Sequence, residues 1–464
     1  MKMKKLEWLL ENKFNLILFI VYFVVGLICV FCHEIWRDEA QVWLVVRDLN
    51  LLGVIEHVRN EGHPLLWYFL VFPFAKLGLP VFSMQLLSFA FMALAAWFFI
   101  WKSPFNKLVK VSVILSAGFL YWLTVISRNY SLIPLFLFLL AYYYPKQKER
   151  PYIYAFILAF LVNTHVLIWG FCAGLVGLFL WDNIIKNNEN KKNFIFPFLI
   201  MTVSVVGVVL YIATRPHLNS SVVIYSMRYD LTFISVLKHW FTCLYGQINY
   251  ILVPIVFIGL SMLVLFLNDK KIFSICLFSC VYQLYIYINV WGTSPEKAYT
   301  FLLILLFSFW ILYSKNTKLL KNVINVTLIG IFASSFLISS ILVKNDVQKK
   351  YSDSKSIAKF IEANIDKNAV LLANHPGTTT GIIAYLPKCR RFYSHFTKDY
   401  YTYEYTDKNN SEFTTYEIPK ELSDQKVYFL YNLIEEPKDK GKVIYNSKGE
   451  PLLVSEWWYI IEAN

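Results

Sequence analysis

Blocks of roughly 16 to 23 apolar residues, nearly free of charge, recur along most of this chain, each long enough to cross about 30 Å of hydrocarbon. A helix of a soluble domain needs a polar face for water, and these blocks have none. The pattern therefore requires a lipid solvent and predicts an all-α polytopic membrane protein. Composition agrees: 57% of the residues are hydrophobic and 16% charged, against roughly 45–50% and about 25% in soluble domains.

The apolar blocks fall at 14–32, 64–79, 81–101, 111–127, 130–144, 151–165, 166–181, 194–214, 250–267, 272–290, 298–314 and 322–343. The basic N-terminus, Met1 to Lys13, has no small-residue cleavage site after it and reads as the start of an uncleaved first span. The net charge of +13 comes from lysines clustered between the blocks rather than along a groove that could hold nucleic acid. Clusters at Lys102/Lys107/Lys110, Lys146/Lys148/Arg150, Lys186/Lys191/Lys192, Lys270/Lys271 and Lys315/Lys318/Lys321 mark the cytoplasmic side, together with the N-terminus. The alternate connectors are then extracytoplasmic: the loop 33–63, Ser127 to Asn129, the turn at His165, Arg215 to Tyr250, Val290 to Lys297, and everything after Val343. Two full crossings within 64–101 would put Lys102 on the wrong side. Segment 64–79, bounded by Pro64 and Pro80, is therefore expected to be short, re-entrant or interfacial, leaving about eleven transmembrane helices in a plasma-membrane, multi-pass protein.

The chain divides into a transmembrane domain, 1–343, and a small C-terminal α/β domain, 344–464, expected outside the membrane. In the latter, 356–362 has helical apolar spacing, Asn368 to Asn374, Lys426 to Tyr431 and Lys442 to Tyr445 read as strands, and the Tyr-rich run from Tyr393 to Tyr405 reads as a surface loop. No GxGxxG or GxxxxGKS fingerprint occurs, which disfavours a nucleotide-powered pump. Seven scattered cysteines form no paired CxxC framework.

Chemistry-bearing residues concentrate on the extracytoplasmic side. The first external loop opens with His33-Glu34-Ile35-Trp36-Arg37-Asp38-Glu39 and continues to Arg47-Asp48. A carboxylate at a membrane edge can serve as general base, and the same residues can equally form a solvated interfacial helix with Glu/Arg pairs. The loop ends in Asn60-Glu61-Gly62-His63-Pro64, whose Gly-His-Pro forces a non-helical entry into the next segment and brings His63 near the acids. His63 reads as a cap or interface residue, or as a phosphate or metal ligand. His33, His57, His63 and Asp38 match no metal-ligand spacing. Arg128, in Ser127-Arg128-Asn129-Tyr130, is a cation at a depth where it must pair or bind an anion; it suits bidentate binding of a lipid phosphate, or a structural clamp on Asp38 or Glu39. Lys297, beside Glu296, is a second such cation. Asn163-Thr164-His165 reads as a helix-hairpin turn.

Three of these motifs together, aromatic-x-Asp-Glu after the first span, Gly-His-Pro-x-x-Trp-Tyr at the next segment and Ser-Arg-x-Tyr further on, resemble the GT-C superfamily of polytopic membrane glycosyltransferases. The chain is similar to bacterial relatives of protein O-mannosyltransferases and lipid A aminoarabinose transferases, a family-39-like group, over roughly residues 10 to 180. The resemblance implies transfer of a sugar from a polyprenyl-phosphate donor to a glycan, lipid or protein acceptor on the extracytoplasmic face. It implies Asp38 as base with Glu39 as support or alternate, Arg128, His63 and Lys297 around the donor phosphate, and Arg37, Tyr130 and His165 in support. It names no certain cofactor beyond the lipid-linked donor, leaves a divalent metal open, and assigns no metal ligands. Two departures stand out: Leu65 occupies the position where many relatives carry a second proline after the histidine, and no late Arg-His or Arg-Tyr pair occurs near Lys297. A transporter or flippase of a lipid-linked or polysaccharide precursor would use the same cations without reaction, but no internal repeat of the kind common in transporters is visible. An assembly subunit without catalysis is the third reading.

Overall fold

The structure, a computed structural model, describes residues 2–186, 191–214, 232–246, 252–290, 292–314, 317–373, 376–394, 398–403, 418–432, 441–447, 449, 451–452 and 457–463. Most of the connector Arg215 to Tyr250, and His217, His375 and His395, lie outside these residues.

Among the described residues, seven helices are long and apolar enough to cross a membrane: Leu10–Cys32, Phe82–Lys102, Val166–Ile185, Lys192–Ala213, Lys270–Asn289, Pro295–Tyr313 and Lys318–Gln348. An eighth arises if Lys107–Ile114 and Ala117–Val125, bent by 51° at Leu115–Ser116, count as one span. Reaching the expected number of about eleven would need the shorter helices Leu132–Tyr143, Pro151–Val162 and Leu252–Asn268 to cross as well. The protein is a multi-pass membrane protein. Pro295–Tyr313 is its axis: 83% of the helix's apolar window is buried inside the protein, against 17% for Lys192–Ala213, which turns Phe196, Leu199 and Val203 outward to lipid. The axis is packed very closely. A Cβ on Gly118, in the π-helical turn Ala117–Trp122, would sit 2.0 Å from the ring of Tyr299, so only glycine fits there.

The segment after the first helix, α1 (Lys2–Cys32), is mostly helical. His33–Trp36 lies outside any element, ends in the extended backbone of Trp36 and leads into α2 (Arg37–Asp48) and α3 (Leu51–Glu61). Asn50 caps α3 by accepting from the Gly53 amide at 2.8 Å, and Gly62 ends it in the left-handed conformation, φ 74°, that a Cβ would penalise. That turn delivers His63 and Pro64 to α4 (Leu66–Lys76), whose 11 residues span about 16 Å, roughly half the hydrocarbon thickness. α4 packs on α2 and, like Pro151–Val162 and Leu252–Asn268, is an apolar helix shorter than the spans named above.

Among the described residues, the C-terminal domain carries a six-stranded mixed sheet in the order β3-β2-β1-β4-β6-β5, built from β1 (Val370–Ala373), β2 (Arg391–Ser394), β3 (Asp399–Tyr401), β4 (Val427–Asn432), β5 (Lys442–Asn446) and β6 (Trp458–Glu462). β1 runs parallel to β2 and β4, and the remaining pairs are antiparallel. Alternation sends Leu371, Phe392, Leu430 and Ile460 to one face and Val370, Tyr393, Phe429 and Ile461 to the other. The first face shares a single apolar cluster with the helices Ser354–Asn364 and Pro376–Tyr385 and with Val42, Leu44 and Val46 of α2 and Trp67 and Val71 of α4. The loop 33–63 thus belongs to the core of the C-terminal domain, while the spans form a separate cluster.

One expectation needs correction. Within the Tyr-rich run, Tyr393, Tyr400 and Tyr401 lie in the antiparallel pair β2–β3 rather than in a loop, because the rings of Tyr393 and Tyr401 are buried while their hydroxyls find partners in Glu421 and Thr379. The apolar block 322–343 sits within a helical segment from Lys318 to Gln348, interrupted at Ser334–Ser335, that carries Asp346 to the foot of the C-terminal domain.

Candidate active site

α2 begins where the extended backbone at Trp36 ends, and its first turn carries both acids. Successive helical residues point about 100° apart, so Asp38 and Glu39 cannot share a direction. Asp38 faces out, with 48% of its side chain exposed, and Glu39 faces in, with none.

Glu39 is fully engaged. Its Oε1 accepts from the Ser127 amide at 2.7 Å and the Ser127 hydroxyl at 2.5 Å. Its Oε2 meets His33 Nε2 at 3.1 Å and accepts from the Trp36 amide at 3.3 Å. A carboxylate with four partners and no exposure is committed to the fold.

Asp38 stands between cations. Its Oδ1 is 3.7 Å from Arg37 Nε and its Oδ2 3.6 Å from Arg128 Nη1, while that same nitrogen donates to the Asp38 carbonyl at 2.7 Å. The guanidinium bond to the backbone is the tight contact, and the carboxylate pairs are loose. Arg128, 13% exposed, also reaches His63, with Nη2 at 3.5 Å from Nε2. Behind them, the His63 and His165 ring centroids are 6.1 Å apart, and Tyr130 lies 4.6 Å from His165. Lys297 donates to the Gly292 carbonyl at 3.3 Å and acts electrostatically on His63. The structure therefore brings Arg37, Asp38, His63, Arg128, Tyr130, His165 and Lys297 together, and turns Glu39 away from them.

Electrostatics set the roles of the histidines. Burial and then Arg128 push His63 down to about 4, with Lys297 adding to the effect and Glu61 and Asp38 opposing it. Burial, His63, Lys297 and Arg128 hold His165 well below the usual histidine range. Both rings are neutral at pH 7, so they offer hydrogen bonds rather than charge, and Arg128 and Lys297 supply the positive potential.

Sequence reasoning missed the carboxylate beneath this site. Glu61 accepts from Tyr68 at 2.5 Å and Gln41 at 3.0 Å and meets His57 at 3.0 Å. Burial would raise Glu61, but His57 outweighs it and, with His63 and Tyr68, brings it down to about 2. Its only signal was position, directly before the Gly-His-Pro turn. His57 is thereby occupied, and among the described residues no three or more His, Cys, Asp or Glu side chains group to hold a metal ion.

At the level of sequence, no family model and no curated protein matches the chain. Its shape does find similar structures. ArnT from Cupriavidus metallidurans, a lipid A aminoarabinose transferase, superimposes in its apo state with a TM-score of 0.55 at 9% identity, over 90% of this chain and 92% of that one. The same enzyme bound to undecaprenyl phosphate gives 0.57 at 9% identity, over 90% and 93%. This chain has a GT-C fold. The mycobacterial arabinofuranosyltransferase AftD gives 0.44 at 12% identity, over 96% of this chain and 40% of that one. In this GT-C fold the Asp38 face of α2 looks out from the junction of the spans and the C-terminal domain, and the Glu39 face is sealed within it.

Proposed function

We propose that this chain is a membrane glycosyltransferase that takes a sugar from a polyprenyl-phosphate donor and passes it to an acceptor at the extracytoplasmic face. The observation that carries the proposal is the half-exposed Asp38 carboxylate set loosely against Arg128, with neutral His63 and His165 and the cation Lys297 behind it. The ArnT structure with undecaprenyl phosphate supports a donor of that chemical class.

In this reading Arg128 leaves its loose pairing with Asp38 for the stronger, bidentate one with the donor phosphate. Lys297 adds charge, and His63 adds a hydrogen bond. Asp38, freed on one side, takes the proton of the acceptor hydroxyl as that oxygen attacks the anomeric carbon. The bond from that carbon to the phosphate oxygen breaks, the electron pair leaves with the polyprenyl phosphate, and Arg128 and Lys297 stabilise the charge that develops. Attack opposite the leaving group inverts the configuration. Glu39 supports Asp38 from behind and is not an alternate base, since all its accepting positions point into the protein.

The test is reconstitution in liposomes with radiolabelled polyprenyl-phosphate sugars and a panel of acceptors, comparing wild type with Asp38→Asn. Transfer by wild type and its loss in the variant is the expected result. Movement of the lipid across the bilayer with no transfer would overturn the reading in favour of a flippase.

A further inference from the structure

Behind α2 lies a buried ionic chain that the proposed reaction does not use. His33, one residue beyond the first span, stands between two carboxylates: Nε2 is 3.1 Å from Glu39 and Nδ1 is 3.3 Å from Asp346, and all three side chains have no exposure. Asp346 also accepts from the Tyr121 hydroxyl at 3.0 Å, and the His33 carbonyl is held by Gln85 at 3.2 Å. An imidazole between two ionised carboxylates donates from both nitrogens as an imidazolium. Burial works against that charge, but Glu39 and then Asp346 outweigh it and push His33 up to about 10. Tyr351 lies against the ring, 4.6 Å between centroids.

Such a chain is a poor way to gain stability, because desolvating three ions offsets much of their attraction, and apolar side chains of the same volume often do as well. What it can supply is geometry. Its far end, Glu39, is bonded to Ser127 twice, and the neighbours of those two residues are Asp38 and Arg128. Fixing Glu39 against Ser127 fixes the first turn of α2 against the break that holds Arg128. Its near end, Asp346, lies in the helix leading to the C-terminal domain, 313 positions from His33. That domain also grips the loop directly. The Tyr385 hydroxyl accepts from the Ile35 amide at 3.1 Å, the Thr380 hydroxyl donates to the Arg37 carbonyl at 3.1 Å, and the Lys355 amide donates to Glu34 at 3.2 Å. The contact is close: a Cβ on Gly381 would meet Ser354 Oγ at 2.3 Å and the Arg37 amide at 3.7 Å.

We infer that Asp346, acting through His33 and Glu39, is a positioning residue that holds Asp38 at its working separation from Arg128. The end of the last span thereby sets the geometry of a site built by the N-terminal part of the chain. For its catalytic consequence the inference rests on the function proposed above, and its structural half stands apart from it.

The test uses the full-length protein and two readouts. Asp346→Leu keeps the volume and removes the acceptor, whereas Asp346→Asn keeps an acceptor oxygen. The Leu variant is expected to lower kcat by about tenfold to a hundredfold, with KM for the donor within about twofold, since a misplacement of about 1 Å costs on that order. Asp346→Asn should recover most of the loss. Amide exchange at Ile35 to Ala40 and at Ser127 should quicken about tenfold in the Leu variant while the spans stay protected. Unchanged kcat and exchange, or a loss confined to thermal stability that asparagine does not recover, would overturn the inference. Should Asp346→Leu fail to fold, Tyr121→Phe, which removes one of the two donors to Asp346, must give a smaller loss in the same direction; no loss would overturn it. If wild type transfers no sugar from any donor tried, the proposed function falls, and exchange at Ile35 to Ala40 alone decides whether Asp346 holds the loop.

Discussion

Both sides of α2 set carboxylates against cationic or imidazole groups, yet they are built for opposite ends. On the inner side His33, Glu39, Asp346 and Ser127 are sealed from solvent, and every contact is between 2.5 and 3.3 Å. On the outer side Asp38 meets its cations at 3.6 and 3.7 Å and remains half exposed. Tight, saturated bonds make scaffold, because any substrate would have to displace them. Loose pairs leave room for a phosphate and a hydroxyl to compete. The difference teaches that an acidic pair adjacent in sequence is divided by helical geometry into one residue available for chemistry and one committed to holding it.

The largest expected effect lies on the outer side. Asp38→Asn should lower kcat about 10²–10⁴-fold, the usual contribution of a general base. Its melting temperature should hardly move, because the lost contacts are loose and exposed; turnover in proteoliposomes and a thermal melt check the two halves. If the variant unfolds while its residual turnover is normal, the division between the two sides fails.

Glu39→Ala should do the reverse in kind. It leaves a buried His33 cation and two Ser127 donors without their acceptor, a loss of roughly 3–5 kcal/mol, read by thermal or denaturant unfolding in detergent. Activity should fall with the folded fraction. A stable Glu39→Ala protein would remove the scaffold role.

Arg128→Ala should come next, weakening donor binding by roughly ten- to a hundredfold, in line with one charge-assisted hydrogen-bonding group. Lys297→Ala should cost less. Competition binding with undecaprenyl phosphate measures both, and an equal loss in the two variants would mean that Arg128 is not the main anion ligand.

The smallest effect is in pH dependence. His33 is raised in the folded state, so the stability it contributes is fully present below its unfolded value near 6.5 and is lost as pH rises through about 10. Glu61 is lowered, so its contribution is present above about 4.5 and lost as pH falls through about 2. Melting temperatures from pH 6 to 11 should decline in wild type and lose that slope in a His33→Gln, Asp346→Asn protein. An identical slope would place the titrating group elsewhere.

Much was legible in the residues alone. Apolar block length determined a multi-pass membrane protein, and the prolines bounding segment 64–79 marked a short helix there, the 11-residue α4. The patterns at 356–362, 368–374, 426–431 and 442–445 located one helix and three strands of the C-terminal domain, while β6 and the β2–β3 pair, rich in tyrosine and tryptophan, carried no clean alternation. Of the candidate residues, Arg128, His165 and Lys297 stood out in the sequence as polar breaks beside apolar blocks, because burying such groups in lipid is costly enough to leave a mark at each position separately, whereas Asp38 and His63 lay in the polar loop 33–63 and took their roles from the family resemblance.

The sequence could not tell Asp38 from Glu39, since direction on a helix depends on where the helix docks, and α2 docks on a cluster shared with the C-terminal domain more than 300 residues later. Nor could it find the bridge through His33 to Asp346. In the sequence, Lys344-Asn345-Asp346 is simply where the apolar run ends, and its acid acquires meaning only when folding brings it to the foot of α2. Local physics is written in local residues; the pairing of distant charges is decided by tertiary packing alone.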